Sequence, residues 1–306
     1  MVKFPEGVKP IEDKGITLFV PGLEAVQYTG MGDWRDILWN AAAWGYRSVQ
    51  LSSFQLDPKS LVTTDLAERV KAECATISKD VGEEFTVGGY STHCSLETWG
   101  YPQHPGVLKF IPVGGDEGAA LKKSLFGKPD EIRKWMWDNV AQFVPEATAK
   151  LGLLGTHSFV PPATIGDVPG LEFSGALLAS YPFVPTHEVQ IVRDGNLISV
   201  NLWDEALGKL DERLGSLYGL LEKQGVVIYH EPHWDTFARG SSEYNQALDK
   251  MGARAKKNIF IGIDISHAWN GEEGAQWIKE LGPRVRNVHA KQKVIQYGQP
   301  FVTGDP

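Results

Sequence analysis

Cysteine is nearly absent. The 306 residues contain two, Cys74 and Cys94, too few for a disulfide framework. They read as two reduced thiols, and the absence of Cys ligands argues against a structural zinc site. No apolar run approaches the length of a membrane span. The N-terminal Met-Val-Lys-Phe-Pro-Glu-Gly lacks the apolar core of a secretory signal. No block of Lys and Arg occurs, and the formal net charge is −8. Phosphate backbones and anionic membranes are gripped by clustered basic side chains, so nucleic-acid and membrane partners are not expected. What is present is ordinary for a chain with a real core: 42% hydrophobic and 22% charged residues, with acidic and basic groups interleaved. The expectation is a soluble, cytoplasmic protein.

Short β-branched runs alternate with longer amphipathic stretches, the pattern of strands followed by crossover helices. Strands are expected over Ile16–Val20, Ser48–Ser52, Phe85–Tyr90, Gly152–Gly155, Val226–His230, Ile259–Asp264 and Val285–His289. Asp33 reads as an N-cap and Gly45 as a helix stop. Further helices are expected over about Thr64–Asp80, from Pro129 towards Lys150, through Leu207, Leu210, Leu214, Leu217 and Leu221, over Ser242–Ala255 and over Glu272–Leu281. Leu96 to Phe126 reads as irregular. Between the fourth and fifth strands, residues 158–200 break the rhythm. There, apolar runs from Val189 to Val200 flank Asp194-Gly195, which predicts an inserted β-hairpin. Such a segment serves as an active-site cover or as a surface for assembly. Seven near-continuously apolar strands point to a single (β/α)8 TIM barrel over residues 1–306, with the eighth strand not visible.

In such barrels chemistry gathers at the C-terminal strand ends. The fifth strand ends His230-Glu231-Pro232-His233, the sixth Asp264-Ile265-Ser266-His267 and the seventh His289-Ala290-Lys291. Carboxylates and an imidazole at one height suit one divalent metal held by Glu231, Asp264 and His289: Mn²⁺ first, with Mg²⁺, Co²⁺ or Zn²⁺ as alternatives. His157 follows the fourth strand between Thr156 and Ser158 and is a candidate base, because imidazole titrates near neutral pH. His93 and His233 read as substrate contacts. Lys291 would steady an oxyanion. Trp234, with Trp34 and Trp99, offers a flat face to a sugar, although most of the ten Trp should be core.

The endings Val-Ile-Tyr-His-Glu-Pro-His, Gly-Ile-Asp-Ile-Ser-His and Asn-Val-His-Ala-Lys resemble the xylose isomerase-like sugar phosphate isomerase/epimerase superfamily. That resemblance implies a (β/α)8 barrel with one divalent metal. Glu231, Asp264 and His289 would be ligands, and His267 would orient substrate oxygens. The family's fourth ligand, a Glu on strand eight, has no counterpart here, and the expectation is that the sequence stops short of it. The implied reaction is isomerisation or epimerisation of a sugar through an enediolate, with Glu231 or His157 as the base. An alternative is lyase chemistry of the C-glycoside deglycosidase type, in which the same enolisation of a 3-oxo-glycoside ends in elimination. That reading would bring a small partner subunit to an oligomeric enzyme. A non-catalytic sugar-binding barrel is the third reading.

Overall fold

A computed structural model of the chain describes residues 17–19, 33–92, 96, 99, 108, 111, 113–158, 188–231, 241–264, 274–289, 292–296 and 299–303. The strands are β1 (Thr17–Phe19), β2 (Ser48–Ser52), β3 (Thr86–Ser91), β4 (Gly155–Ser158), β5 (Glu188–Arg193), β6 (Asn196–Asn201), β7 (Val227–His230), β8 (Ile259–Asp264), β9 (Val285–His289), β10 (Gln292–Gln296) and β11 (Gln299–Thr303). The helices are α1 (Trp34–Ala43), α2 (Pro58–Thr63), α3 (Leu66–Val81), α4 (Gly115–Leu125), α5 (Pro129–Asn139), α6 (Val144–Lys150), α7 (Leu202–Gln224), α8 (Ser241–Met251), α9 (Ala253–Asn258) and α10 (Gly274–Leu281).

Seven strands form one parallel sheet in the order β1-β2-β3-β4-β7-β8-β9. Parallel strands need crossovers, and here helices supply them and bury the outer face. The sheet curls. Laid flat, β2 and β9 would stand roughly 24 Å apart, five steps of about 4.8 Å. Instead His289 Nε2 on β9 lies 3.3 Å from Gln50 Oε1 on β2. The two side chains meet across the interior of an incomplete barrel. Among the described residues there is no eighth parallel strand; residues 292–296 and 299–303 pair instead as the antiparallel strands β10 and β11.

Strand parity sorts the side chains. Ile228 and His230 of β7 face the helices, where the His230 ring stacks on Tyr244 of α8 at 5.7 Å. Two apolar clusters fill the space between sheet and helices. One gathers α1 to α3 around Val49, Leu51 and Tyr90; the other gathers α5 and α7 to α10 around Ile228, Ile259, Ile261 and Ile263. A fully buried Leu or Ile contributes about 1.5–3 kcal/mol relative to exposure, which is why the period-two outer faces are so uniformly aliphatic.

Most predicted elements form, with informative differences. Asp33 caps α1 through the Arg35 N–H at 2.5 Å. The hairpin β5–β6 turns at Asp194 and Gly195, both at positive φ (52° and 77°), the geometry an Asp-Gly pair favours. The stretch expected to be irregular after Leu96 contains α4, whose glycine-rich start, Gly114-Gly115, obscures its helical period. The expected helix over Thr64–Asp80 is preceded by a separate turn, α2, capped by Asp57 through the Ser60 N–H. The region from Pro129 to Lys150 is broken at Val140, and Ser242–Ala255 at Gly252. Trp34 and Trp99 are 7% and 4% exposed, so they are core residues and not sugar platforms. Strand β4 runs later than expected and includes His157. This shift carries His157 from a loop into the barrel wall.

Burial lowers the His230 pKa from 6.5 to about 3, with repulsion from His157 adding to it. The unfolded chain therefore binds the proton first as pH falls, so stability drops through the window from about 6.5 towards 3. Urea midpoints are expected to decline between about pH 7 and pH 5. His230→Phe, which keeps the stack on Tyr244 and cannot titrate, is expected to flatten that decline. An equally steep decline in the variant would assign it to other groups.

Candidate metal centre

The inward series along the strands is Gln50 on β2, Gly89 on β3, His157 on β4, Tyr229 and Glu231 on and after β7, Gly262 and Asp264 on β8, and His289 at the end of β9. Parallel register sets their heights. His157 pairs with Tyr229, Asp264 pairs with His289, and Glu231 N–H donates to Ser158 O at 3.0 Å. Because His230 pairs with Ile261, and Gly262 with Asn287, the register sets Asp264 and His289 two positions beyond Glu231.

His157, Glu231 and His289 converge. One donor atom from each lies within 4.8 Å of the other two. His157 Nε2 is hydrogen-bonded to Glu231 Oε2. His289 Nδ1 stands 3.6 Å from the same oxygen. The two imidazoles stack, with centroids 4.1 Å apart and planes inclined by 27°. His157 reaches this point by crossing the barrel interior over Gly262. A Cβ on Gly262 would lie 2.9 Å from His157 Nδ1 and 3.0 Å from its Cε1, so any larger residue on β8 would displace the ring.

The electrostatics call for positive charge. Glu231 is 3% and Asp264 2% exposed, and His157 is 2% exposed. A buried carboxylate is costly unless paired with positive charge. Two such groups at adjacent strand ends, faced by imidazoles whose nitrogens point inward, form a donor set that fits a divalent cation. The 3.6 Å separation of His289 Nδ1 and Glu231 Oε2 is within the span of two ligands each about 2.0–2.2 Å from one ion.

Of the three expected ligands, the structure brings Glu231 and His289 together. Asp264 is buried beside them, in register with His289, but outside the converging group. His157, expected as a base, joins the group instead. His93, His233, Trp234, His267 and Lys291 lie outside the described residues. Sequence reading missed Gln50, which is 4% exposed and touches His289. Its signal was a lone amide at the centre of Ser48-Val-Gln-Leu-Ser52, a strand buried along its whole length.

A sequence model of the family described as xylose isomerase-like TIM barrel matches residues 186–300, from the start of the β5–β6 hairpin into β11. No curated protein matches the chain. Among solved structures, the chain is similar to a putative xylose isomerase from Rhodospirillum rubrum, with a TM-score of 0.52 and 12% identity over 92% of this chain and 78% of that one. It is also similar to a xylose isomerase domain protein from Planctomyces limnophilus, with a TM-score of 0.46 and 11% identity over 84% of this chain and 68% of that one. A D-allulose 3-epimerase from a Methylomonas species, in complex with D-allulose, gives a TM-score of 0.42 and 15% identity over 84% of this chain and 67% of that one. At 12% identity the likeness to the Rhodospirillum rubrum protein carries the fold and not the reaction. The resemblance read from the strand endings holds, and the fold is that of a xylose isomerase-like TIM barrel, incomplete among the described residues.

Proposed function

We propose that this protein is a divalent-metal-dependent sugar isomerase or epimerase whose ion is held by His157, Glu231 and His289. The observation that supports this reading is the convergence of those three donors within 4.8 Å at the strand ends. Two imidazoles and a carboxylate favour Zn²⁺ or Co²⁺ over the Mn²⁺ expected from a carboxylate-rich set. Such an ion supplies a Lewis acid that polarises a sugar carbonyl and its neighbouring hydroxyl.

The chain's own groups then move the proton. Glu231 accepts it from the carbon beside the carbonyl; the hydrogen bond from His157 Nε2 belongs to the ion-free chain, since that nitrogen's lone pair would go to the ion. Returning the proton to the former carbonyl carbon, as the hydroxyl proton passes between the two oxygens, gives isomerisation; epimerisation needs a proton delivered to the opposite face of the deprotonated carbon by a second donor. Asp264, fixed by its register with His289, adds negative charge that draws the ion inward. Lys291, two residues beyond His289, is assigned to steadying the oxygen anion that forms on enolisation.

The test is solvent exchange. Protein loaded with Co²⁺ is incubated with ketoses, aldoses and 3-oxo-glycosides in D₂O, and deuterium at the carbon beside the carbonyl is followed by NMR. Exchange into a free sugar, with formation of its isomer or epimer, is the expected result. Release of an aglycone from a 3-oxo-glycoside without sugar isomerisation would replace this reading with the lyase. No exchange into any of them would overturn both.

A further inference from the structure

We propose that Gln50 is the positioning residue for His289: its amide oxygen holds the imidazole in the Nε2–H tautomer and so turns the Nδ1 lone pair towards Glu231. The metal-ligand consequence rests on the function proposed above; the tautomer itself does not.

An amide oxygen only accepts, so the 3.3 Å contact between Gln50 Oε1 and His289 Nε2 makes Nε2 the donor. In a neutral imidazole the other nitrogen must then carry the lone pair. That nitrogen, Nδ1, is the one 3.6 Å from Glu231 Oε2. In the reversed tautomer Nδ1–H would donate to the buried carboxylate and be lost as a ligand; the amide oxygen favours the other form.

Two further observations show that Gln50 is not merely filling space. Its Nε2 is buried and has no hydrogen-bond partner among the described residues. A buried donor left unsatisfied is destabilising, a cost that a leucine of similar volume would avoid. The glutamine is therefore present for the oxygen. Room for it is also built into the neighbouring strand. A Cβ on Gly89 of β3 would lie 2.8 Å from Gln50 Oε1 and 2.9 Å from its Cγ, so only glycine allows the amide to lie across β3 towards His289. The contact joins residues 239 positions apart in sequence. It ties the second strand of the barrel to the seventh at the height of the proposed ion.

The experiment compares the wild-type protein with Gln50→Leu and Gln50→Glu, all metal-free at mildly alkaline pH. Imidazole ¹⁵N spectra are assigned to His289 by its loss in His289→Gln. The expected result is a single Nε2–H tautomer in the wild type, retained in Gln50→Glu, which keeps an acceptor, and lost in Gln50→Leu. Titration with Co²⁺ should then show about 10- to 100-fold weaker binding in Gln50→Leu, the usual loss when the partner of a ligating histidine is removed, with affinity largely restored in Gln50→Glu. An Nδ1–H tautomer in the wild type, or an unchanged spectrum in Gln50→Leu, would overturn the proposal. Absence of Co²⁺ binding in the wild type would instead sink the metal reading, and the spectra would still decide the role of Gln50.

Discussion

Glu231→Gln is expected to weaken Co²⁺ binding by more than about 100-fold, because it removes a ligand outright where loss of a ligand's partner alone costs 10- to 100-fold. Turnover should fall by a further factor of about 10²–10⁴, since the same carboxylate is assigned the proton transfer. The substitution keeps the volume of the side chain and its contacts with both imidazoles, and removes only the charge. A buried charge that loses its counter-charge destabilises, while a buried neutral amide need not. The melting temperature of the metal-free variant should therefore equal or exceed that of the metal-free wild type. Visible absorption of Co²⁺ during titration, with thermal melts as the control, measures both. Unchanged stoichiometry and affinity in a folded variant would remove Glu231 from the site, and with it the proposed chemistry.

His157→Gln and Asp264→Asn should separate sharply. The resemblance assigns Asp264 to the ion and leaves His157 as a base, whereas the geometry groups His157 with Glu231 and His289 and leaves Asp264 outside. The expected result is about a 100-fold loss of Co²⁺ affinity in His157→Gln and less than about a tenfold loss in Asp264→Asn. Replacing a nitrogen donor should also shift the Co²⁺ absorption bands, which loss of a nearby charge would not do. The reverse pattern would return Asp264 to the ligand set. It would also restore His157 to the role of proton acceptor, with its hydrogen bond to Glu231 orienting the ring.

Some of this architecture was open to reading because it is local. Strand β8 coincides with an apolar run, Ile-Phe-Ile-Gly-Ile closed by Asp264, as a strand covered on both faces should, whereas β2 and β9 form where expected with only two apolar residues each. Asp194-Gly195 announced a hairpin because few pairs of residues adopt positive φ in succession. Other features were hidden. Helix α4 follows Gly114, starts at Gly115 and carries another glycine at Gly118, so its apolar period is too thin to see. Strand β4 was placed three residues early because Thr156-His157-Ser158 is polar. Those side chains are buried all the same, one parity facing β3 through the Thr92–Thr156 hydroxyl pair and the other entering the barrel.

Taken alone, the order of residues determined that Glu231, Asp264 and His289 stand at the ends of successive strands, because period-two alternation and the length of an apolar run are properties of a short segment. It could not decide which donors share a point. That depends on curvature, on register between strands distant in the chain, and on the space left where a side chain is missing. Only the tertiary structure brought His157 across Gly262 to Glu231 and set Gln50 against His289. Those contacts depend on the whole sheet bending until its second and seventh strands face each other.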